Sequence, residues 1–203
     1  MKIIQNALIV SFIVFLSGCH NQIMKIDLAK VESVGIINKF PNYPNYLNIG
    51  TTIFNNSSCI VEDITYKKFL TEEVEKHLQR KGFKVKHLLS EKSASNVDMI
   101  IEILPRSIYG IPNTKGYGFF HRSLLGISAK KKSYVALSLN QKKDGKEVFR
   151  LLSCIGEIMT NLPIDEMPLK WNELNESKKK ELGIILKKDI TKAVSMAFSK
   201  LGL

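Results

Sequence analysis

The chain is poor in the residues that usually carry catalysis or metal binding. Its 203 residues include three cysteines and four histidines, and no two histidines stand four residues apart. Cys-x-x-Cys, His-Glu-x-x-His and Gly-x-Ser-x-Gly patterns are absent from the sequence. Neither a zinc site nor a nucleophile elbow therefore has sequence support. The carboxylates are scattered, and Glu72, Glu73 and Glu75 are typical of a solvated helix face. We expect no enzymatic activity, no metal and no cofactor.

The sequence also lacks an apolar run that could cross a bilayer, which takes about 20 residues. The longest run extends from Ala7 to Leu16 and is interrupted only by Ser11. Lys2 supplies a positive charge before it, and small residues follow it. A charged start, a short apolar core and a small-residue end are typical of a secretory signal. We therefore predict that residues 1–18 are a signal peptide.

The end of this segment, Leu16-Ser17-Gly18-Cys19, resembles the lipobox of bacterial lipoproteins. The resemblance implies that the Cys19 thiol accepts a diacylglyceryl group, that the bond between Gly18 and Cys19 is cleaved, and that the new amine is acylated, for example with palmitate. Two or more acyl chains give stable membrane anchoring, at roughly 0.8 kcal/mol per buried methylene. The alternative is an ordinary secretory signal followed by a chance cysteine.

The residue after Cys19 bears on which membrane would hold the protein. His20 stands there, whereas an aspartate at this position retains enterobacterial lipoproteins in the inner membrane. The resemblance therefore implies the periplasmic face of the outer membrane. Residues 19–30 are polar and short enough to act as a lipidated tether, and residues 31–203 suit a single periplasmic domain.

Acidic residues are outnumbered by basic ones, 19 to 30, which gives a net charge of +11. A basic protein favours anionic partners, and in the envelope these are lipid head groups, lipopolysaccharide phosphates and peptidoglycan carboxylates rather than nucleic acid. Each basic cluster alone is typical of a solvated face, but the first two would form a patch against anionic lipid if they share one end of the sheet. The clusters are Lys130-Lys131-Lys132, Lys142-Lys143 with Lys146, Lys178-Lys179-Lys180 and Lys187-Lys188.

Two cysteines remain besides Cys19. An oxidising periplasm permits a disulfide between Cys59 and Cys154, and closing so long a loop would stabilise the fold by roughly 4 to 5 kcal/mol in the chain-entropy model. The alternative is two unbridged cysteines, with Cys154 buried in a strand.

Hydrophobic periodicity predicts two amphipathic helices and several strands. The segments between them, at 40–58, 105–130 and 161–171, are rich in Asn, Pro or Gly and are predicted to be loops, with a brief strand at 51–54 as an option. The Asp144-Gly145 pair is a hairpin signal. The predicted helices are residues 63–81 and 177–201, and the predicted strands are 34–37, 83–87, 96–104, 134–140 and 148–158.

This succession favours an α+β fold, a two-layer sandwich in which two helices cover one face of a mixed, largely antiparallel sheet of four or five strands. The segments Arg80-Lys81-Gly82-Phe83-Lys84-Val85, Asn96-Val97-Asp98 and Asp144-Gly145-Lys146 follow in an order that resembles the amino-terminal domain of TolB and the CsgG-type and LpoB-type periplasmic domains. The resemblance spans residues 31–201 and implies the fold alone, because the chain has no room for a propeller or a secretion pore.

One stretch, from Gly116 to Arg122, has an unusual composition. Glycines would let it approach a surface, and its aromatic and basic side chains would supply contacts, so one interpretation is a docking loop for a protein, glycan or lipid. The other is a bulged edge whose Phe119 and Phe120 fill the core. The candidate binding residues are Lys115, Tyr117, Phe119, Phe120, Arg122, Lys130, Lys131 and Lys132.

The features together favour a non-enzymatic envelope lipoprotein that binds a protein or envelope polymer from its tether. The alternative is a lipid- or lipopolysaccharide-binding lipoprotein that uses the basic clusters and the aromatic and glycine residues of 116–122. A third option is a hydrolase whose site the sequence does not reveal.

Overall fold

The structure, a computed structural model, describes residues 28–50, 56–93, 96–122, 130–143, 146–147, 154–164 and 167–201. The signal segment with Gly18 and Cys19, the optional strand at 51–54 and the hairpin turn at 144–145 lie outside these residues. Within the described residues, no helix is both long and apolar enough to cross a bilayer.

The described residues form nine strands and two α-helices. Short 3₁₀ turns at Leu28–Lys30, Glu91–Ser93 and Trp171–Glu173 accompany them. The helices are α1 (Thr65–Arg80) and α2 (Glu176–Leu201). The strands are β1 (Ser33–Asn38), β2 (Asn45–Ile49), β3 (Ser57–Ile60), β4 (Lys84–His87), β5 (Met99–Pro105), β6 (Tyr117–Arg122), β7 (Lys131–Lys143), β8 (Lys146–Glu147) and β9 (Cys154–Asn161).

The long strand β7 organises a single mixed sheet. On one edge it pairs antiparallel with β5 along its second half and with β6 along its first half. On the other edge it pairs with β9 and β8. Strands β1 and β2 lie parallel to β5 and β6, and the outermost positions belong to β4 and β3. The nine strands thus occupy five positions across the sheet, because several positions hold two strands end to end.

The predicted α+β class, with a mixed sheet and two helices, is confirmed. The predicted two-layer sandwich with a sheet of four or five strands is wrong in its finer part, since the described residues form nine strands in one sheet. Three of the additional strands, β2, β3 and β6, lie in segments that composition predicts to be loops. Strands β2 and β6 are short and pair with each other although they are distant in sequence, and β3 joins the sheet through β2, so local composition does not reveal them.

Both helices pack on one face of the sheet and build the main core with it. Helix α1 contributes Leu70, Val74 and Leu78, whose side chains are fully buried. Thr191 of α2 donates a hydrogen bond to Glu73 of α1, and further along both helices the His77 ring stacks on Phe198 at 4.1 Å. Because the contacts advance along both helices together, the helices run in the same direction. On the opposite face of the sheet there is a smaller cluster, which consists of Leu47, Ile49, Ile108, Phe120, Tyr134 and Ala136.

We call the end of the sheet at which β1 begins the proximal end. Asp98 joins two segments of the chain there through hydrogen bonds. Its carboxylate accepts hydrogen bonds from the backbone N–H of Glu32 at 3.0 Å and from the backbone N–H and hydroxyl of Ser33, both at 2.8 Å. These contacts join the first residues of β1 to the segment before β5. They also lower the pKa of Asp98, with the Ser33 backbone donor contributing most.

Because the pKa of Asp98 is lower in the folded chain than in the unfolded chain, its contribution to stability is present above the ordinary value of 3.8 and is lost as the pH falls through the lowered pKa. We expect Asp98→Asn to be less stable than the natural chain at neutral pH and to approach it as the pH falls below the ordinary value of 3.8. Urea unfolding at several pH values measures this difference. A stability difference that does not shrink as the pH falls below that value would contradict the assignment.

Candidate binding site

The aromatic residues predicted as a docking loop are core residues instead. Tyr117 and Phe119 are fully buried and Phe120 is 2% exposed. They lie on β6, an interior strand between β2 and β7. The interpretation of these rings as a docking surface is therefore wrong, and the alternative that they fill the core is correct, although β6 is no edge strand.

The close approach of β2 explains why residue 118 is a glycine. Its φ is 151°, and an added Cβ would lie 2.0 Å from the carbonyl oxygen of Asn45. The missing side chain therefore lets β6 lie close to β2 inside the sheet, rather than letting a loop approach an outside surface.

The structure separates the two basic clusters that could have formed one patch. Lys130 to Lys132 lie at the start of β7 and Lys142 lies near its end, about 35–40 Å apart at the rise of an extended strand. Lys142 is also neutralised, because its ammonium lies 2.7 Å from Glu91 and 3.0 Å from the buried Glu102. A shared patch made of these clusters is therefore ruled out.

The remaining predicted residues fall into two places. Arg122 lies beside the first cluster, since its backbone N–H donates to the carbonyl of Lys130 at 3.1 Å. Lys115 lies at the other end of β6, where its carbonyl accepts a hydrogen bond from the Asn45 side chain. Only Arg122 and Lys130 to Lys132 are therefore brought together.

Cys59 and Cys154 do not form a disulfide with each other. Paired residues lead across the sheet from Cys59 on β3 through Tyr46, Phe119 and Ser133 to Thr160 on β9. The strands that carry Cys59 and Cys154 are therefore four strand spacings apart, or about 19 Å. A disulfide needs Cα atoms within about 7 Å. The predicted pairing is therefore wrong, and burial raises the pKa of the Cys154 thiol in the core.

A concave surface, called the α1/α2 cleft here, lies where the first turns of α2 extend beyond the start of α1. It has a volume of about 440 Å³, which is within the range of small-molecule sites. The loop before α1 and the 3₁₀ turn before α2 complete it. Its lining residues are Val61, Asp63, Tyr66, Trp171, Glu176, Lys179, Lys180, Gly183, Ile184 and Lys187.

The floor of the cleft is apolar. Trp171 stacks on Phe119 with ring centroids 5.4 Å apart and meets Tyr46 edge-on at 5.7 Å. Gly183 leaves space above the Tyr66 hydroxyl, since an added Cβ would lie 2.7 Å from that oxygen. Burial, with the nearby Asp63 charge second, raises the pKa of Tyr66 to about 12. The hydroxyl therefore stays protonated and able to donate a hydrogen bond.

The rim of the cleft carries uncompensated positive charge. Lys187 lies over the rings of Tyr66 and Phe69, at 5.9 and 5.6 Å, a favourable cation–π position. Lys180 lies seven residues earlier, on the same face of α2. Across the described part of the chain, no carboxylate lies within 4.0 Å of either ammonium group.

The two acids of the cleft are already engaged. Glu176 pairs with Lys179 at 2.7 Å, and Asp63 accepts a hydrogen bond from the Thr65 backbone N–H at 2.9 Å. An apolar floor below two unpaired ammonium groups therefore suits a ligand that is apolar in one part and anionic in another.

Sequence reasoning missed this cleft. The spacing of Lys180, Ile184 and Lys187 on one helical face was the available signal, because an exposed isoleucine between two lysines is unusual for a solvated face. Ile184 is 61% exposed. The floor could not be found in the same way, since Val61 and Trp171 come from loops whose positions depend on the whole fold.

The described residues contain no group of three His, Cys, Asp or Glu side chains that could hold a metal ion. The absence of an enzymatic, metal or cofactor function stays a prediction.

Comparisons with known proteins leave the family open. No family model matches the chain, and no curated protein matches it. Among solved structures, the chain is similar to a Xanthomonas campestris protein described under the family model DUF330, with a TM-score of 0.46 and 9% sequence identity. The similarity covers 84% of this chain and 85% of that one.

Proposed function

We propose that this protein is a membrane-anchored periplasmic lipoprotein whose folded domain acts as a non-enzymatic binding or adaptor module in the cell envelope. The observation that carries the proposal is the Leu16-Ser17-Gly18-Cys19 motif directly after the apolar run from Ala7 to Leu16. Acylated Cys19 is the anchor, and the outer membrane is the proposed location.

The position of the domain relative to such an anchor supports the proposal. Eight residues lie between Cys19 and Leu28, so the tether spans at most about 30 Å. The proximal end of the sheet would then lie near the bilayer. Arg80, Lys81 and Lys84 are exposed at this end, and basic residues near an anionic membrane surface contribute about 1 kcal/mol each.

An anchored domain needs only modest affinity for its neighbours. Confinement to a membrane surface raises the effective concentration of every partner on that surface. The α1/α2 cleft is the place where the described residues offer such a partner both apolar contact and charge. We propose it as the binding site of the module.

Replacing Cys19 by serine tests the anchor. We expect the natural protein to carry fatty acid and to sediment with the outer membrane, and Cys19→Ser to carry none and to lose membrane sedimentation unless its uncleaved signal holds it. Metabolic labelling with palmitate and membrane fractionation measure both. Cys59→Ser, the same change on a partly exposed strand, serves as the control and should behave like the natural chain. A Cys19→Ser protein that still incorporates palmitate would refute the proposal.

A further inference from the structure

The α1/α2 cleft has the chemistry of a site for an amphiphilic ligand, and it lies away from the proximal end of the sheet, since the first turn of α1 contacts Asn38 at the end of β1. We propose that the cleft binds a single-chain phospholipid with a net negative head group, a lysophospholipid taken up as a monomer. This inference rests on the proposed binding function and specifies its ligand class.

The acyl chain would lie along the apolar part of the cleft. Val61 is 1% exposed and Trp171 is 9% exposed, so they form a fixed floor with little surface of their own, and most of the apolar contact would come from Ile184. Ile184 stands at the rim and is 61% exposed without a ligand. Covering such a side chain with an acyl chain removes apolar surface from water, which favours binding.

The head group would lie between Lys180 and Lys187. Two turns of α2 separate these residues, about 10 Å along the helix axis, and lysine side chains are long enough to converge on one phosphate. A phosphate offers several acceptor oxygens to two ammonium groups, and lysine is a common phosphate ligand in proteins. The lysines of the cleft outnumber its acids, because Lys179 is paired with Glu176 and Lys180 and Lys187 together outweigh the charge of Asp63.

Binding can be followed through Trp171, which is the only tryptophan of the chain and lines the cleft. The full-length Cys19→Ser chain is titrated with myristoyl lysophosphatidylglycerol below its micellar concentration, with calorimetry as a second readout. This chain carries no lipid of its own at position 19, so the result does not depend on whether Cys19 is acylated in the cell. The same background is used for every variant, so any contact between lipid and the retained signal segment is common to all of them and cancels in the comparisons.

We expect saturable binding of the anionic lipid, weakened by salt. Lysophosphatidylcholine has the same chain and phosphate but no net charge, and it should bind about tenfold more weakly. Glycerol phosphate, which lacks the acyl chain, should bind more weakly still. Equal binding of the two lipids, or glycerol phosphate binding as well as the lipid, would overturn the proposal.

A matched pair of double variants tests the position of the head group. Lys180→Gln with Lys187→Gln should weaken binding about 20-fold, since each lysine contributes roughly fivefold near an anionic lipid. Lys188→Gln with Lys192→Gln removes the same charge from exposed positions of the same helix outside the cleft, and it should weaken binding less than threefold. Equal losses in the two double variants would show that general charge, rather than the cleft, attracts the lipid.

Ile184→Ser tests the apolar part, and Leu89→Ser, at a position 99% exposed elsewhere, is its control. We expect about a fivefold loss for the first and none for the second. Circular dichroism verifies that all variants are folded. Unchanged binding in Ile184→Ser would show that the acyl chain does not lie in the cleft. A concentration-dependent dimer that this substitution abolishes would show that the cleft is an interface between copies of the chain rather than a lipid site.

Discussion

Replacing Gly156 by alanine is expected to destabilise the domain by about 3 kcal/mol or more. Gly156 lies on β9 where α2 crosses the sheet, and an added Cβ would lie 1.9 Å from the carbonyl oxygen of Ala193. That atom belongs to the backbone of a buried helix, so no side-chain rotation relieves the clash. The helix must move away from β9, and the packing of its buried residues on the sheet is lost with it.

Gly35→Ala is the matched control, since it also adds one methyl group to a strand glycine. The atom nearest to its new Cβ would be Cδ1 of Leu88, the end of a flexible side chain that can rotate. We expect a destabilisation of less than about 1.5 kcal/mol there. Thermal and urea unfolding compare the two. A Gly156→Ala protein as stable as Gly35→Ala would show that α2 and β9 do not approach so closely.

Trp171→Ala is expected to cost about 3 to 5 kcal/mol of folding stability. The Trp171 ring lies on Phe119 and Tyr46, and it covers a part of the helix-facing side of the sheet that neither α1 nor α2 reaches. Its removal leaves a cavity above β2 and β6, and it removes most of the cleft floor. Unfolding followed by far-UV circular dichroism measures the loss, because the substitution removes the only tryptophan signal.

Leu169→Ala, two residues earlier, is the control for Trp171→Ala. Leu169 is 62% exposed, so its truncation should change stability by less than about 0.5 kcal/mol. Trp171→Phe should fall between the two, because a smaller ring retains part of the stacking on Phe119. Equal stability of all three variants would mean that the 3₁₀ turn at Trp171–Glu173 is not packed on the sheet.

Both helices could be predicted from the sequence, for a clear physical reason. Leu70, Val74 and Leu78 recur at helical spacing, and in the structure all three are buried under α1. The same holds for Leu182, Leu186 and Ile190 in α2. The strands β1, β4, β5 and β7 were also expected, because their β-branched or alternating residues mark a buried or half-buried strand locally. Strand β9 overlaps the strand expected at 148–158 after the hairpin signal.

Strands β2 and β6 could not be predicted because their burial comes from partners that are distant in sequence. Asn45 begins β2 although asparagine disfavours strands. Its side-chain amide donates hydrogen bonds to the Lys115 carbonyl and the Tyr134 hydroxyl, which lie far along the chain. Tyr117 and Phe119 were compatible with either an exposed loop or a core strand, and only the pairing of β6 with β2 and β7 decides between them. The cleft depends on the same long-range packing.

The basic clusters illustrate a further limit of composition. Lys142 and Lys180 are each part of a cluster of lysines in the sequence, but the structure gives them opposite surroundings. Lys142 is held by Glu91 and Glu102, so its charge is cancelled. Lys180 has no carboxylate nearby among the residues that the structure describes, and its charge remains available to a ligand. Charge counts alone do not distinguish these two situations.

The mass of the mature N-terminal peptide, measured on protein isolated from its native membrane, tests the central claim most directly. The account predicts a chain that begins at Cys19 and carries a diacylglyceryl group on its sulfur and a further acyl group on its amine. An N-terminus at any other residue, or an unmodified thiol at Cys19, would contradict it.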